Sequence, residues 1–338
     1  MTTIHIEGSG QTFACAPNDT LLAGGLRAGL GMPYECTAGA CGTCKFELLE
    51  GHLEVLWDNA PGLSARDHAK NRKLACQCRP LTDCRIKMRL DDACVPQVNP
   101  RKQTATLIAT NEITHDIREF RFATDTAAAF RPGQFATLQL PGVNGTRAYS
   151  MSNLPNSEGE WHFQVRRVQG GNGSNTLFDH LHTGDQITLD GPFGMAYLRE
   201  DSVRDVVCIA GGSGLAPMVS IARAMANAGQ LATRRLHFFY GARTQRDVCG
   251  EALLEALPGF GDRIRFYPAI SSVHEHEANS WNGRIGFIHE YLEEVLGADL
   301  YGHDYYMAGP TPMIQAVLDT LQTRHNVDKS QIYFDRFF

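Results

Sequence analysis

The sequence has no cluster of basic residues, and no basic segment followed by an apolar core near its first residue. The net charge is −6 at pH 7, whereas a nucleic-acid-binding face needs concentrated Lys and Arg side chains. We therefore exclude nucleic acid as a partner. Because the pattern of a secretory signal is missing as well, we expect a cytoplasmic protein.

A long uninterrupted hydrophobic run is also missing. The most apolar stretch, residues 206–226, is interrupted by the glycine-rich segment 211–214 and contains Arg223. Glycines in this position end a strand and open a turn, so the stretch predicts a strand, a turn and a helix. A membrane span is not expected. The 338 residues allow two or three domains.

Cysteine is abundant but unevenly distributed, since eight of the ten Cys residues lie before residue 95. Disulfides are disfavoured in the cytosol, so metal or cluster ligation is the leading explanation. Cys36, Cys41 and Cys44 have the spacing C-x4-C-x2-C, and Cys76 follows at a distance, which is the plant-type [2Fe–2S] arrangement. Cys78 is the alternative fourth ligand, although we favour Cys76. A zinc site would usually show two C-x2-C pairs or added histidines.

The segment between Cys36 and Cys44 consists of small residues with two internal glycines, as a loop curling around a cluster requires. On these residues, the first part of the chain resembles a plant-type ferredoxin domain, which implies a β-grasp fold over residues 1–95. Two prolines then indicate a connector at residues 96–102. The remaining cysteines lack ligand spacing, and we interpret them as small apolar side chains: Cys15, Cys84, Cys94, Cys208 and Cys249.

Short β-like runs separated by turns predict an antiparallel barrel over residues 103–200. Near its middle, Arg147-Ala148-Tyr149-Ser150 resembles the R-x-Y-S flavin motif of the ferredoxin–NADP reductase superfamily. The resemblance implies that Arg147 binds a pyrophosphate, that Tyr149 lies against the isoalloxazine ring and that Ser150 reaches the hydride-accepting N5. Ser150 is thus a candidate catalytic residue.

A second segment of the barrel places glycines and a hydroxyl just before an apolar helical run, which is typical of a phosphate cradle. The cofactor-binding candidates here are Val165, Arg166, Gly171, Gly173 and Ser174. The order of domains in similar reductases favours FAD over FMN, although the motif itself does not separate the two.

Residues 201–338 read as an α/β nicotinamide-binding domain with a parallel sheet, because a buried strand runs into a glycine turn and then a helix. Pro217 occupies the last position of what would otherwise be a G-x-G-x-x-G loop, a variant that is usual in the reductase superfamily. Ala308 stands where many relatives have a cysteine near nicotinamide C4, so no role of that cysteine transfers to this chain. The cofactor-binding candidates are Gly212, Gly214, Pro217, Arg243, Gly309 and Pro310.

Coenzyme choice is expected to favour NADH. Arg243 and Arg246 could meet a 2′-phosphate, but Tyr-Gly-Ala-Arg-Thr at residues 240–244 is more typical of NADH-preferring members. At the other end of this domain, Phe338 is the candidate aromatic residue beside the flavin, with cofactor-binding and catalytic roles; Phe337 is the alternative, or a buried strand residue. The segment His274–Glu277 is interpreted as solvated surface and not as a metal site.

The whole chain resembles an NADH-dependent reductase component of a multicomponent bacterial oxygenase. The implied fold class is a multidomain α+β protein: a β-grasp ferredoxin, an antiparallel flavin-binding β-barrel and an α/β parallel-sheet nicotinamide-binding domain. The implied cofactors are a [2Fe–2S] cluster, FAD and NADH. Hydride carries two electrons and an iron–sulfur cluster takes one, so a flavin is needed between them.

Segments around Trp57 and the residues 334–338 look most like toluene monooxygenase reductases. This implies a diiron monooxygenase system, with a Rieske-type ferredoxin or the hydroxylase component as electron acceptor. A reductase of a Rieske-type ring-hydroxylating dioxygenase is the alternative, and a stand-alone electron carrier is a weaker one. A diiron centre needs two E-x-x-H motifs, and the sequence has only one such segment, at residues 112–115; it has no Rieske motif. We therefore expect no oxygen-activating centre in this chain. A monomer is expected.

Overall fold

The computed structural model describes residues 1–272 and 281–337. Its first part is a five-stranded sheet in the order β2-β1-β7-β3-β5, with one parallel pair, β1 and β7, and a separate ribbon of β4 and β6. Thr20 caps the first helix by accepting a hydrogen bond from the Ala23 N–H, and the helix buries its leucines on the sheet. The elements are β1 (Thr2–Ile6), β2 (Thr12–Cys15), α1 (Leu21–Arg27), β3 (Lys45–Glu50), β4 (Leu53–Val55), α2 (Ala65–Ala69), β5 (Arg72–Leu74), β6 (Cys78–Pro80) and β7 (Cys84–Lys87). The predicted β-grasp is confirmed.

The middle part is a six-stranded antiparallel sheet in the order β11-β10-β13-β8-β9-β12. A bridge between Met151 and Phe163 joins the two edge strands and closes the sheet into a barrel, as predicted. Aromatic side chains such as Phe122 and Trp161 fill the interior. The elements are β8 (Arg101–Glu112), β9 (Ile117–Ala123), β10 (Phe135–Gln139), β11 (Arg147–Ser150), β12 (Glu160–Arg166), α3 (Asn172–Asn175) and β13 (Gln186–Phe193). Strand β8 begins at Arg101, inside the segment 96–102 that the sequence assigns to the connector.

The last part is a six-stranded parallel sheet in the order β17-β16-β15-β14-β18-β19, with helices packed against it. The central strand β14 is almost wholly buried, as expected for a parallel sheet covered on both faces. The predicted helix that follows buries one apolar face, formed by Met218, Ile221, Ala222 and Met225. The elements are β14 (Asp205–Gly211), α4 (Leu215–Asn227), β15 (Leu236–Ala242), α5 (Glu251–Glu255), β16 (Ile264–Ile270), β17 (Arg284–Ile285), α6 (Ile288–Leu296), β18 (His303–Pro310), α7 (Thr311–Leu318) and β19 (Ile332–Phe337).

Ion pairs hold the first part of the chain against the barrel. Arg27 lies 2.7 Å from Asp190 and 3.5 Å from Asp19, and Lys102 lies 2.8 Å from Asp19. Burial raises the pKa of Asp190, while Arg27 opposes the rise. The barrel is joined to the last part by Arg223 and Ser220 of α4, which donate hydrogen bonds to backbone carbonyls that follow β11.

Within the described residues, the helices are too short or too polar for any of them to cross a lipid bilayer.

Candidate cofactor sites

The four predicted cluster ligands meet beside the first sheet. Cys36, Cys41 and Cys44 lie on the loop between α1 and β3, and Cys76 lies in a short 3-10 turn between β5 and β6. Backbone N–H groups of Ala38 and Cys41 lie 3.4 and 3.3 Å from the Cys36 sulfur. Amides directed at sulfur stabilise the negative charge of a thiolate-bound cluster.

The sulfur atoms approach one another in two pairs. A hydrogen bond from the Cys36 thiol, helped by Thr43, lowers the pKa of Cys41 to about 5. The Cys76 thiol acts in the same way on Cys44, whose pKa is also lowered. Four converging thiols, two of them buried, are the donor set of a [2Fe–2S] cluster, so the residues fit that group.

Cys78 lies apart from this arrangement. It begins β6, is fully buried, and has its pKa raised to about 12 by burial, with no thiol hydrogen bond contributing. Of the cysteines interpreted as small apolar side chains, Cys15, Cys84 and Cys208 are buried, whereas Cys94 and Cys249 are half-buried. The geometry therefore favours Cys76 as the fourth ligand.

Glycines allow the cluster loop to fold tightly. Gly62 donates a hydrogen bond to the Gly39 carbonyl, and a Cβ atom on Gly42 would collide with the Gly62 carbonyl. Gly42 also has a φ of +76°, a conformation that other residues rarely adopt. Two features of the loop were not predicted: Trp57 packs against Gly39, and the Gln77 side chain donates to the Cys76 sulfur at 3.7 Å. The sequence position of Gln77, next to the predicted ligand Cys76, is the feature that could have indicated this hydrogen bond.

The predicted flavin motif forms strand β11. Arg147 donates to the carbonyls of Asn144 and Thr146, and burial raises the pKa of the Tyr149 phenol to about 12. Ser150 is buried at the end of the strand, opposite Phe135 of β10.

The predicted phosphate cradle lies against this strand. A Cβ atom on Gly173 would lie 2.8 Å from Arg147 Cγ and 3.2 Å from the Tyr149 hydroxyl, so the two motifs converge only because residue 173 is glycine. Ser174 stabilises the turn, accepting from Val168 N–H and donating to the Gly171 carbonyl. This cradle beside an arginine and a tyrosine fits an extended flavin nucleotide.

Val165 and Arg166 end strand β12 and differ in character. The Val165 side chain is buried in the barrel core, so only its backbone can face a cofactor. Arg166 donates to Asp116 at 2.6 Å, and its guanidinium lies 3.5 Å from the position of a Cβ atom on Gly212. Arg166 thus connects the barrel to the glycine turn of the parallel sheet.

The predicted nicotinamide residues meet at the carboxyl edge of the parallel sheet. Gly212 and Gly214 form the turn after β14, and Pro217 is buried in the first turn of α4. A Cβ atom on Gly214 would collide with the Ala308 carbonyl, and one on Gly309 would lie 3.1 Å from Gly211 N. The carboxyl ends of strands β14 and β18 therefore pack closely at their glycines. Glycines of this kind are needed where the backbone approaches a bound dinucleotide.

Further residues complete this edge. Pro310 ends β18, and both Arg243 and Arg246 are exposed beyond the end of β15. Tyr240 donates to the Gly212 carbonyl and holds the turn. Phe337 pairs with Pro310 in β19, whereas Phe338 and the segment 274–277 lie outside the described residues.

A junction that the sequence did not predict connects the cluster loop to both other parts. The Tyr34 hydroxyl accepts a hydrogen bond from Gly194 N at 2.9 Å, and its ring meets Phe193 edge-on. Glu35 lies 3.9 Å from Arg336 of β19. No single sequence motif could reveal these contacts, because the partners lie 159 or more positions apart.

Three families match the chain in the order of these sites. Residues 4–81 match the 2Fe-2S iron-sulfur cluster binding domain, residues 104–197 the oxidoreductase FAD-binding domain and residues 208–319 the oxidoreductase NAD-binding domain. The fold and the three cofactors implied by the resemblance are thereby confirmed.

Relatives match over the full length. The ferredoxin–NAD(P)+ reductase CarAd of Metapseudomonas resinovorans is 40% identical, covering 100% of both chains. The xylene/toluene monooxygenase electron transfer component XylA of Pseudomonas putida is 34% identical, covering 100% of this chain and 94% of its own. A solved ferredoxin reductase in carbazole 1,9a-dioxygenase is 37% identical, with a TM-score of 0.91 over 100% of this chain and 98% of the other. The chain therefore belongs to the family of ferredoxin–NAD(P)+ reductase components of multicomponent oxygenase systems, oxidoreductases that join a 2Fe-2S, a FAD-binding and a NAD-binding domain in one polypeptide.

Proposed function

We propose that this protein takes electrons from NADH and delivers them singly to the next protein of a diiron monooxygenase system, a Rieske-type ferredoxin or the hydroxylase component. The proposed domain limits are residues 1–95, 103–200 and 201–338. We propose that Arg147, Tyr149 and Ser150 contact the flavin, that the glycine turns after β14 and β18 bind the nicotinamide nucleotide, and that Cys36, Cys41, Cys44 and Cys76 bind the cluster. The other site residues keep the roles that the sequence analysis gives them. We further propose that the protein acts as a monomer in the cytoplasm, where NADH is available.

One observation carries this proposal: a continuous line of contacts runs from the flavin motif to the cluster loop. Ser150 pairs with Phe135, the Phe135 ring lies 6.1 Å from the Phe193 ring, and Phe193 lies 6.4 Å from Tyr34. Tyr34 is two residues before the ligand Cys36. The candidate flavin site and the candidate cluster site are thus neighbours, as single-electron transfer between them requires.

FAD, held by Arg147, Tyr149 and the glycine cradle at Gly173, would supply the conversion of a two-electron hydride from the nicotinamide into single electrons for the cluster. The chain's own residues position these groups. Arg147 supplies a fixed fork of donors for a pyrophosphate. Tyr149 is half-buried, and burial raises the pKa of its phenol to about 12, which keeps the hydroxyl proton in place across the physiological pH range. The buried aromatic rings Phe135 and Phe193 exclude water between the two sites.

A second candidate is the reductase of a Rieske-type ring-hydroxylating dioxygenase. It is favoured by the similarity to the carbazole 1,9a-dioxygenase reductase, which is at least as great as the similarity to the xylene/toluene component. The two candidates share the internal chemistry and differ in the acceptor.

The acceptor can be identified by stopped-flow mixing. The holoenzyme is reduced with NADH without oxygen and mixed with a Rieske-type ferredoxin or with a diiron hydroxylase, while the visible absorbance of the cluster is followed. Fast oxidation by a protein from a monooxygenase system supports the first candidate, and fast oxidation only by a dioxygenase ferredoxin supports the second. If NADH fails to bleach the flavin and cluster, the proposed function is wrong.

Coenzyme preference is tested separately by comparing kcat/KM for NADH and NADPH with ferricyanide as acceptor. We expect the higher value for NADH, because the exposed Arg243 and Arg246 are held by no contact that would shape a 2′-phosphate pocket among the described residues. A higher value for NADPH would refute this preference.

A further inference from the structure

Three potential metal ligands meet at the amino edge of the parallel sheet, opposite the glycine turns. Asp205 opens β14 and is the register partner of His303, which opens β18. His237 is the second residue of the neighbouring strand β15 and pairs with Val207. Because side chains alternate along a strand, all three side chains emerge on the same face of the sheet. Their ligand atoms all lie within 4.8 Å of one another.

His303 provides an independent indication of a missing ligand. Its side chain is only 2% exposed, and its buried Nδ1 atom has no hydrogen-bond partner among residues 1–272 and 281–337. Buried polar atoms are nearly always satisfied, because an unsatisfied one destabilises the folded protein. A metal ion would satisfy this nitrogen.

Neighbouring groups orient the other two side chains. Nδ1 of His237 lies 3.3 Å from the Tyr267 hydroxyl, and the two rings are stacked. One carboxylate oxygen of Asp205 accepts a hydrogen bond from Arg235 N at 2.7 Å. Such outer contacts fix the orientation of metal-binding residues.

We propose that Asp205, His237 and His303 form a binding site for a divalent transition metal, with Zn²⁺ as the best-matched ion. Two imidazoles and one carboxylate form a donor set that zinc accepts, whereas Ca²⁺ and Mg²⁺ prefer oxygen donors alone. A fourth position would be left for water or a small anion. This inference does not depend on the proposed function.

The charged residues around the proposed site affect which ligand could occupy the fourth coordination position. A cavity of about 180 Å³ adjoins His237, and three arginines, Arg235, Arg263 and Arg265, outnumber one carboxylate residue, Asp262, among its lining residues. These cations oppose a free divalent ion but favour an anionic outer ligand, which would lower the net charge of the site. The metal would join the starts of β14, β15 and β18, away from the cofactor edge. We therefore expect it to stabilise the sheet without changing the transfer of electrons.

A second group of similar composition serves as a control. His115, Asp116 and Asp247 also lie close together, but both carboxylates already have partners. Asp116 accepts from Arg166, and Asp247 accepts from Thr244. His115 is exposed. We expect this group to contribute no comparable zinc affinity.

The test uses the holoenzyme with its flavin and cluster in place. Zinc binding is measured by isothermal titration and by elemental analysis after dialysis, and the ligands are identified by zinc K-edge X-ray absorption. We expect one zinc per chain, bound by two imidazoles and oxygen without sulfur, and a rise in the thermal unfolding temperature. His303→Gln and His237→Gln should weaken binding by about 100-fold or more, while His115→Gln should leave it unchanged.

Asp205→Asn provides a variant that keeps the size of its side chain, should a histidine variant fail to fold. Three results would overturn the proposal. These are no stoichiometric zinc in the parent protein, a sulfur ligand in the absorption spectrum, or equal affinity in the parent and in the folded variants. The NADH–ferricyanide activity of the same samples shows whether the proposed function stands independently of the metal.

Discussion

The two sides of the cluster loop differ in how firmly they are held. On the inner side, the buried Tyr34 is fixed by Gly194 and Phe193 of the barrel, and Glu35 faces Arg336 of the last strand. On the outer side, Trp57 covers Gly39 and yet remains 45% exposed. From this difference we expect electrons to arrive through a permanent interface and to leave through a surface that is open to a transient partner.

The largest expected effect is the loss of the [2Fe–2S] cluster, whose loop has the inner and outer sides just compared. Cys76→Ser should remove the [2Fe–2S] absorbance completely, because it deletes one of the four converging thiols. Cys78→Ser is the matched control and should retain the cluster, since Cys78 shares no thiol hydrogen bond with the others. Iron and sulfide contents, together with the visible spectrum, measure both. A cluster lost only from the Cys78 variant would reverse the ligand assignment.

The next effect concerns the outer side. Trp57→Ala should raise the Kd for the acceptor protein about tenfold or more, because exposed tryptophans at interfaces frequently dominate binding energy. Reduction of the cluster by NADH within the chain should be unchanged. Leu81→Ala is the control, since Leu81 is an exposed apolar residue of the same part of the chain. Equal binding by both variants would place the docking surface elsewhere.

A smaller effect is expected on the inner side. Tyr34→Phe leaves the Gly194 N–H without its acceptor, at a cost of about 1–3 kcal/mol in the free energy of unfolding. Cluster reduction should slow severalfold, while flavin reduction by NADH keeps its rate; stopped-flow absorbance separates the two steps. Tyr301→Phe, at an exposed position, should alter neither step. If the two variants behave alike, the inner contact does not position the cluster.

The last predicted effect concerns pH and the strand that carries Arg336. Burial, with Glu35 nearby, raises the pKa of Asp335 to about 8. A carboxyl group whose pKa is higher in the folded state contributes stability at low pH, and that contribution is lost as the pH rises through about 8. The unfolding free energy of the parent should therefore fall between pH 5 and pH 9 relative to that of Asp335→Asn. Thermal unfolding across this range measures the difference, and parallel curves for the two proteins would contradict the shift.

The sequence predicted the three-part fold and the convergence of the four candidate cluster cysteines because local spacing carries that information. Cys36, Cys41 and Cys44 lie on one loop, and the buried run at 206–211 is typical of a parallel strand. Contacts between distant segments could not be predicted in this way. Tyr34 and Arg336 have no motif that reports their positions, and the meeting of Asp205, His237 and His303 depends on strand order and register.

The contact between the two glycine turns has a consequence for protein engineering. Any side chain at position 214 would strike the Ala308 carbonyl. At position 309, a Cβ atom would lie 3.1 Å from Gly211 N, and the φ of +152° is one that side chains rarely adopt. Mutant libraries that seek a different coenzyme would therefore lose most members to misfolding if they randomised these turns. The exposed Arg243 and Arg246 can instead be varied freely, so a change of coenzyme choice is best sought there.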